Sequence, residues 1–148
     1  MYHYTDCGLP NIYLRGGFDV LDTEEGDAVA IHNLAGLHKA IGLDLVHHMP
    51  ALTGDAVRFL RKEMNLTQNT FANIIGVSED SVRGWENGRG GGISSPADKL
   101  LRGLYLEHVN GDGGLREMTE EVARLVRELA EIERRDFEKC DDDWCLAA

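Results

Sequence analysis

Cysteine is scarce in this sequence: Cys7, Cys140 and Cys145 are the only three in 148 residues. So sparse and odd-numbered a set excludes a disulfide framework and fits a reducing cytoplasm, with Cys140 and Cys145 expected as free thiols. No run of about 18 apolar residues occurs, so no membrane-spanning helix is expected. MYHYTDCGLP has neither a basic n-region nor an apolar h-region, so no secretory signal is expected either. The marks of common catalytic sites are missing as well: no P-loop, no GxSxG, no HExxH and no dinucleotide fingerprint. An enzyme is therefore not expected, and no cofactor is implied. Six histidines are present, among them His3, His32, His38, His47 and His48, but none stands at a strong ligand spacing, so no metal site is expected.

Positive charge is also short. The formal net charge is -11, which argues against a polyanionic partner until it is split by region. Residues 1–50 hold 7 acids and 2 bases, residues 51–107 hold 7 of each, and residues 108–148 hold 12 acids and 6 bases. The middle of the chain is neutral and the acidity lies on either side of it. A nucleic-acid surface needs local positive charge, not a positive total. With 43% hydrophobic and 28% charged residues, the composition is that of a globular protein.

The pattern of apolar residues divides the chain. Residues 1–33 predict strands and turns: IYLRGGFDVLD flanks Gly16-Gly17, a hairpin turn by composition, and Ala28 to Ile31 forms another short strand. Leu34, Leu37, Ile41 and Leu45 then recur at helical spacing until Met49-Pro50 ends the period. Residues 1–50 are thus a small α+β module.

Residues 51–108 predict an all-α unit. Thr53 caps a helix from about Gly54 to Met64, Thr67 caps a second that ends at Gly76, and Ser78 caps a third through about Asn87-Gly88. Gly90-Gly91-Gly92 is a loop, and Ser95-Pro96 opens a fourth helix, with Ser as cap. The expected core is Phe71, Ala72, Ile75, Val77, Val82 and Trp85, joined by Val57, Leu60, Met64, Leu100, Leu101, Leu104 and Tyr105. After the linker NGDGG, the chain from Leu115 to Cys140 is expected as one long helix. Leu115, Met118, Val122, Leu125, Leu129 and Ile132 follow the a/d spacing of a coiled coil, a dimerisation stripe within residues 115–139. Residues 140–148 are an acidic tail, expected to be frayed. The fold class is α+β: a strand-containing N-terminal module, a central helix-turn-helix unit and a C-terminal amphipathic helix.

Leu66-Thr67-Gln68, Phe71-Ala72, Gly76-Val77-Ser78, Val82 and Trp85-Glu86-Asn87-Gly88-Arg89 resemble the helix-turn-helix of the Cro/repressor-type (XRE) family. RFLRKEM before it and SSPADKLLRGLYLE after it fit that family's five-helix domain. The wider layout is similar to MqsA-type antitoxins, although their two zinc-binding CxxC pairs are absent here. The resemblance implies a cytoplasmic regulator that binds double-stranded DNA, acts as a homodimer on a two-fold operator and represses transcription. The antitoxin likeness implies a toxin protein as an alternative partner. A recognition helix meets base edges near its N-terminus, so Ser78, Glu79, Asp80, Ser81 and Arg83 are the expected reading residues. Gln68, Asn87 and Arg89 are expected at the phosphates, with Arg58, Arg61 and Lys62 as further bases. Glu79 and Asp80 have two uses open to them: stabilising the helix dipole, or accepting a hydrogen bond from cytosine N4.

Overall fold

The computed structural model describes residues 1–111, 114, 116, 117, 120 and 134–147. Two short strands, β1 (Tyr2–His3) and β2 (Tyr13–Leu14), pair antiparallel, and β3 (Phe18–Thr23) pairs antiparallel with β4 (Gly26–Ile31). Helices α1 (Leu34–His48), α2 (Gly54–Glu63), α3 (Gln68–Ile75), α4 (Glu79–Glu86) and α5 (Ser95–Asn110) follow. One 3-10 turn, Arg89–Gly91, lies between α4 and α5. β5 (Phe137–Cys140) and β6 (Asp143–Leu146) form a last antiparallel pair. The class is α+β, as expected.

Local chemistry sets the helix ends. Thr53, Thr67 and Ser78 each accept a hydrogen bond from the backbone N–H three residues on, so each cap satisfies a free donor of its helix. Gly76 takes φ 77°, a left-handed conformation that ends α3 and frees the chain to turn into α4.

The core is continuous across the expected module boundary. Leu14 of β2, with Tyr4 and Leu9 from the segment between β1 and β2, packs with Ile41, Leu45 and Val46 of α1 and with Val57, Phe59, Leu60, Phe71, Val82, Leu101 and Tyr105 of the helical unit. Polar bonds follow the same path. The Tyr4 hydroxyl lies 2.7 Å from His38 Nε2, and His38 Nδ1 lies 2.6 Å from a Glu63 carboxylate oxygen, linking β1–β2, α1 and α2. Burial raises the Tyr4 hydroxyl above its ordinary pKa, with nearby Cys7, Asp6 and Glu63 adding to it. Asp98 of α5 accepts from the Leu52 N–H at 2.9 Å and from Arg102 Nε at 2.5 Å, fixing the approach to α2.

Several expectations are corrected. Gly16-Gly17 does not close a hairpin: β2 pairs with β1, and the turn at Glu24-Glu25 joins β3 to β4. The Thr23 hydroxyl bonding to the Gly26 carbonyl closes that turn. Ser94, not Ser95, is the cap residue of α5. Ile74 is buried where Ile75 was expected, and Ile75, Val77 and Trp85 are half-buried. The long helix does not reach Cys140, because Phe137–Cys140 is a strand. Nor is the tail frayed: it folds back as β6, and Cys140 and Cys145 form a disulfide in place of two free thiols. The stripe Leu115, Met118, Val122, Leu125, Leu129 and Ile132 lies outside the described residues.

Candidate nucleic-acid interface

α3 and α4 are joined by a three-residue turn, Gly76-Val77-Ser78. Phe71, Ala72 and Ile74 of α3 and Val82 of α4 are buried, which turns the opposite side of α4 outward. α2 braces this pair from behind. A Cβ on Gly54 would lie 2.5 Å from the Trp85 carbonyl oxygen and 2.6 Å from that of Glu86. The start of α2 therefore sits against the end of α4, and only glycine fits at their contact.

Glu86 locks the arrangement. Its side chain is buried and accepts from Arg61 Nε at 2.7 Å, Arg61 Nη2 at 2.8 Å and Arg58 Nε at 3.2 Å. Gln68 Nε2 adds a fourth bond at 3.3 Å, and Arg61 Nη1 also donates to the Leu66 carbonyl at 2.9 Å. One carboxylate thus ties α2, α3 and α4 together. Burial by itself would push the Glu86 carboxyl up. The hydrogen bonds and charge of Arg61, with the bonds from Gln68 and Arg58, outweigh that effect and hold it below the ordinary glutamate value.

The outer side of α4 carries a second, exposed set of charges. Glu79 stands 3.5 Å from Arg83 Nη2 and accepts from Asn69 Nδ2 at 3.3 Å. Asp80 stands 3.4 Å from Arg83 Nη1 and 3.9 Å from Arg89 Nη2. Ser78 and Ser81 share a hydroxyl–hydroxyl bond of 2.9 Å beside the cap. Asn87 is the C-cap residue of α4, exposed at its far end. A shallow cleft of about 250 Å³ runs between Asp80, Ser81, Gly84, Trp85, Arg89 and Gly92.

Of the expected site residues, Ser78, Glu79, Asp80, Ser81, Arg83 and Arg89 are gathered around the first turns of α4 and its exposed side. Gln68 stands at the first position of α3 with its amide turned toward Glu86. Arg61 is corrected: it is a buried partner of Glu86, not a base offered to solvent, whereas Lys62 is exposed. Sequence reasoning missed Glu86 as the organising group. The available signal was its position four residues after Val82, on the buried side of the helix. Gly84 was missed too. A Cβ added there would lie 3.9 Å from Arg89 Nη2, so the missing side chain leaves the exposed side low beside that guanidinium.

An α-helix presented in this way, capped by serine, with arginines beside its exposed side and a second helix packed behind it, is a helix-turn-helix DNA-binding element. Residues 57–101 match the family model described as helix-turn-helix. The likeness covers that segment alone, which is similar to the helix-turn-helix DNA-binding domain of the XRE type. No curated protein and no solved structure matches the chain. No helix among the described residues is long and apolar enough to cross a membrane.

Proposed function

We propose that the protein is a sequence-specific transcriptional repressor that binds a palindromic operator as a homodimer, its own promoter included. The observation that carries this reading is the exposed side of α4. There Ser78, Glu79, Asp80, Ser81 and Arg83 cluster at the helix start, with Arg89 and Asn87 at its end. In this reading α4 enters the major groove. Arg83 and Ser81 reach base edges, Glu79 or Asp80 accepts from cytosine N4, and Gln68, Asn87 and Arg89 hold phosphates. Half-sites one helical turn apart, about 34 Å, call for two copies. The stripe from Leu115 to Ile132 supplies the pairing surface in this proposal.

The chain's acidity is compatible with DNA binding because it is segregated. The β3–β4 hairpin carries Asp19, Asp22, Glu24, Glu25 and Asp27 and no lysine or arginine. Such a surface repels DNA and disfavours docking in any orientation except through α4. The same hairpin favours a second reading, an antitoxin. It exposes Val20 and Leu21 among these acids, a surface suited to a basic protein such as a toxin.

The test is binding to DNA from upstream of the protein's own gene against scrambled DNA, across about 50 to 200 mM salt. A salt-sensitive complex with two copies per site supports the repressor. Leu125→Glu with Leu129→Glu should then give monomers in sedimentation and much weaker binding. Equal affinity for both DNAs would overturn autoregulation, and a dimer that survives the double substitution would move the interface elsewhere.

A further inference from the structure

We propose that the C-terminal hairpin, with its thiols reduced, holds a thiophilic divalent cation such as zinc through Cys140, Cys145 and Glu138. β5 and β6 pair with Glu138 opposite Cys145 and Cys140 opposite Asp143. Side chains alternate between faces along a strand, and directly paired residues share a face. One face of the hairpin therefore carries Glu138, Cys140, Asp143 and Cys145. The other carries Phe137, Lys139, Trp144 and Leu146. Each side chain on the first face is a metal-ligand type, and the apolar ones all stand on the second.

Distances support a shared ion. One ligand atom each from Glu138, Cys140 and Cys145 lies within 4.8 Å of the other two. Zinc takes sulfur at about 2.3 Å and carboxylate oxygen at about 2.0–2.2 Å, so ligands of one ion stand at most roughly 4.6 Å apart. Once reduction lets the two sulfurs part, small side-chain rotations bring all three around one ion. Asp143 accepts from the Trp144 N–H at 2.8 Å, which turns its carboxylate back onto its own strand and leaves a fourth position for water. Two thiolates and one carboxylate, with a water completing a tetrahedron, suit zinc better than magnesium or calcium, which prefer oxygen.

The disulfide, with its Cα atoms 5.9 Å apart, is then the oxidised, metal-free state of the same site. The two states exclude each other, because cation and disulfide use the same sulfur atoms. A low-molecular-weight disulfide takes the metal-bound state to the oxidised one in a balanced step, and the corresponding small thiol reverses it. Cys140 and Cys145 thiolates lose two electrons in forming their S–S bond, the small disulfide gains them and becomes two thiolates, and the cation is released. A staple of one kind or the other has a clear use here. An isolated two-stranded hairpin is marginal in water, and the apolar face of this one is open, with Phe137 62% and Trp144 63% exposed.

The test uses the full chain, reduced with a phosphine and titrated with cobalt(II) alone as the spectroscopic probe, then with zinc to displace it. One equivalent of cobalt should give thiolate-to-metal charge-transfer bands, and the oxidised chain should give none. Glu138→Gln should weaken uptake by about tenfold or more, given that even indirect partners of a metal cost that much. Cys140→Ser with Cys145→Ser should abolish it, while Cys7→Ser should leave it unchanged. Unchanged helical circular dichroism in each variant separates ligand loss from unfolding. No bands from the reduced chain, or bands that persist in the double serine variant, would overturn the site. Uptake indifferent to Glu138→Gln would overturn the three-ligand set.

Discussion

α4 carries two sets of carboxylate–guanidinium contacts, one on each side, and they differ in almost everything but chemistry. On the inner side, Glu86 is sealed from water and bonded at 2.7–3.3 Å by Arg61, Arg58 and Gln68. On the outer side, Glu79 and Asp80 meet Arg83 and Arg89 at 3.4–3.9 Å in solvent. Buried charges must be fully partnered, and once partnered they fix one geometry. Exposed pairs contribute about 0–1 kcal/mol and exchange partners readily. The inner set can hold the helix in place, and the outer set can trade its contacts for those of a ligand. One short helix thus combines a rigid mount with an adaptable surface.

The largest expected effect comes from breaking the inner set. Glu86→Ala leaves Arg61 buried without its carboxylate and should cost about 3–5 kcal/mol. Thermal unfolding should show a drop in Tm of roughly 10 °C or more. If Tm moves by only a degree or two, Glu86 is not the lock between α2, α3 and α4. The acid dependence sharpens the point. The Glu86 carboxyl is held below its ordinary value in the folded chain, so its contribution is complete above the unfolded glutamate pKa and fades as pH falls through the lowered folded value. Urea unfolding over a series of acidic pH values should show that loss. Glu86→Gln should flatten it, at a lower plateau stability near neutral pH.

The next effect belongs to the outer set. Arg89→Ala should leave Tm almost unchanged, because its contact to Asp80 is exposed and 3.9 Å long. Binding to the operator should weaken at every sequence alike, with the salt slope reduced by about 1, as for a phosphate contact. A loss confined to particular bases would instead place Arg89 among the reading residues.

How far the sequence revealed all this follows the same division. Thr53, Thr67, Ser78 and Gly76 were legible because caps and left-handed turns depend on neighbours within three or four residues. The apolar period gave Val57, Leu60, Val82 and Leu101 for the same reason. Counting from Ser78 also placed Glu79, Asp80, Ser81 and Arg83 in α4. Glu86 and Arg61 were not legible as a pair, since they stand 25 positions apart and a lone charge in a helix is usually solvated. The strands were misjudged where pairing partners decide: Gly16-Gly17 has turn chemistry, yet β2 found its partner in β1. In the tail, acidic composition concealed an alternation that only the facing strand makes visible.

A small stability effect is expected at Glu79, whose substitution discriminates best between the two uses of the outer acids. Glu79→Ala removes a first-turn carboxylate and an exposed pair, together worth about 0.3–1 kcal/mol at the helix dipole. If that is its whole role, affinity for cognate and scrambled DNA should rise together, because a negative charge has left the phosphate-facing side. If Glu79 accepts from cytosine N4, affinity for scrambled DNA should still rise while the cognate site loses its advantage, by about 1–3 kcal/mol of discrimination. Paired titrations on operators with the cytosine kept or replaced separate the cases. A ratio of cognate to scrambled affinity that Glu79→Ala leaves intact would sink the reading role. Glu79 would then be an acid whose work ends with the helix, leaving Asp80, one residue on and more exposed, to be tested in the same way.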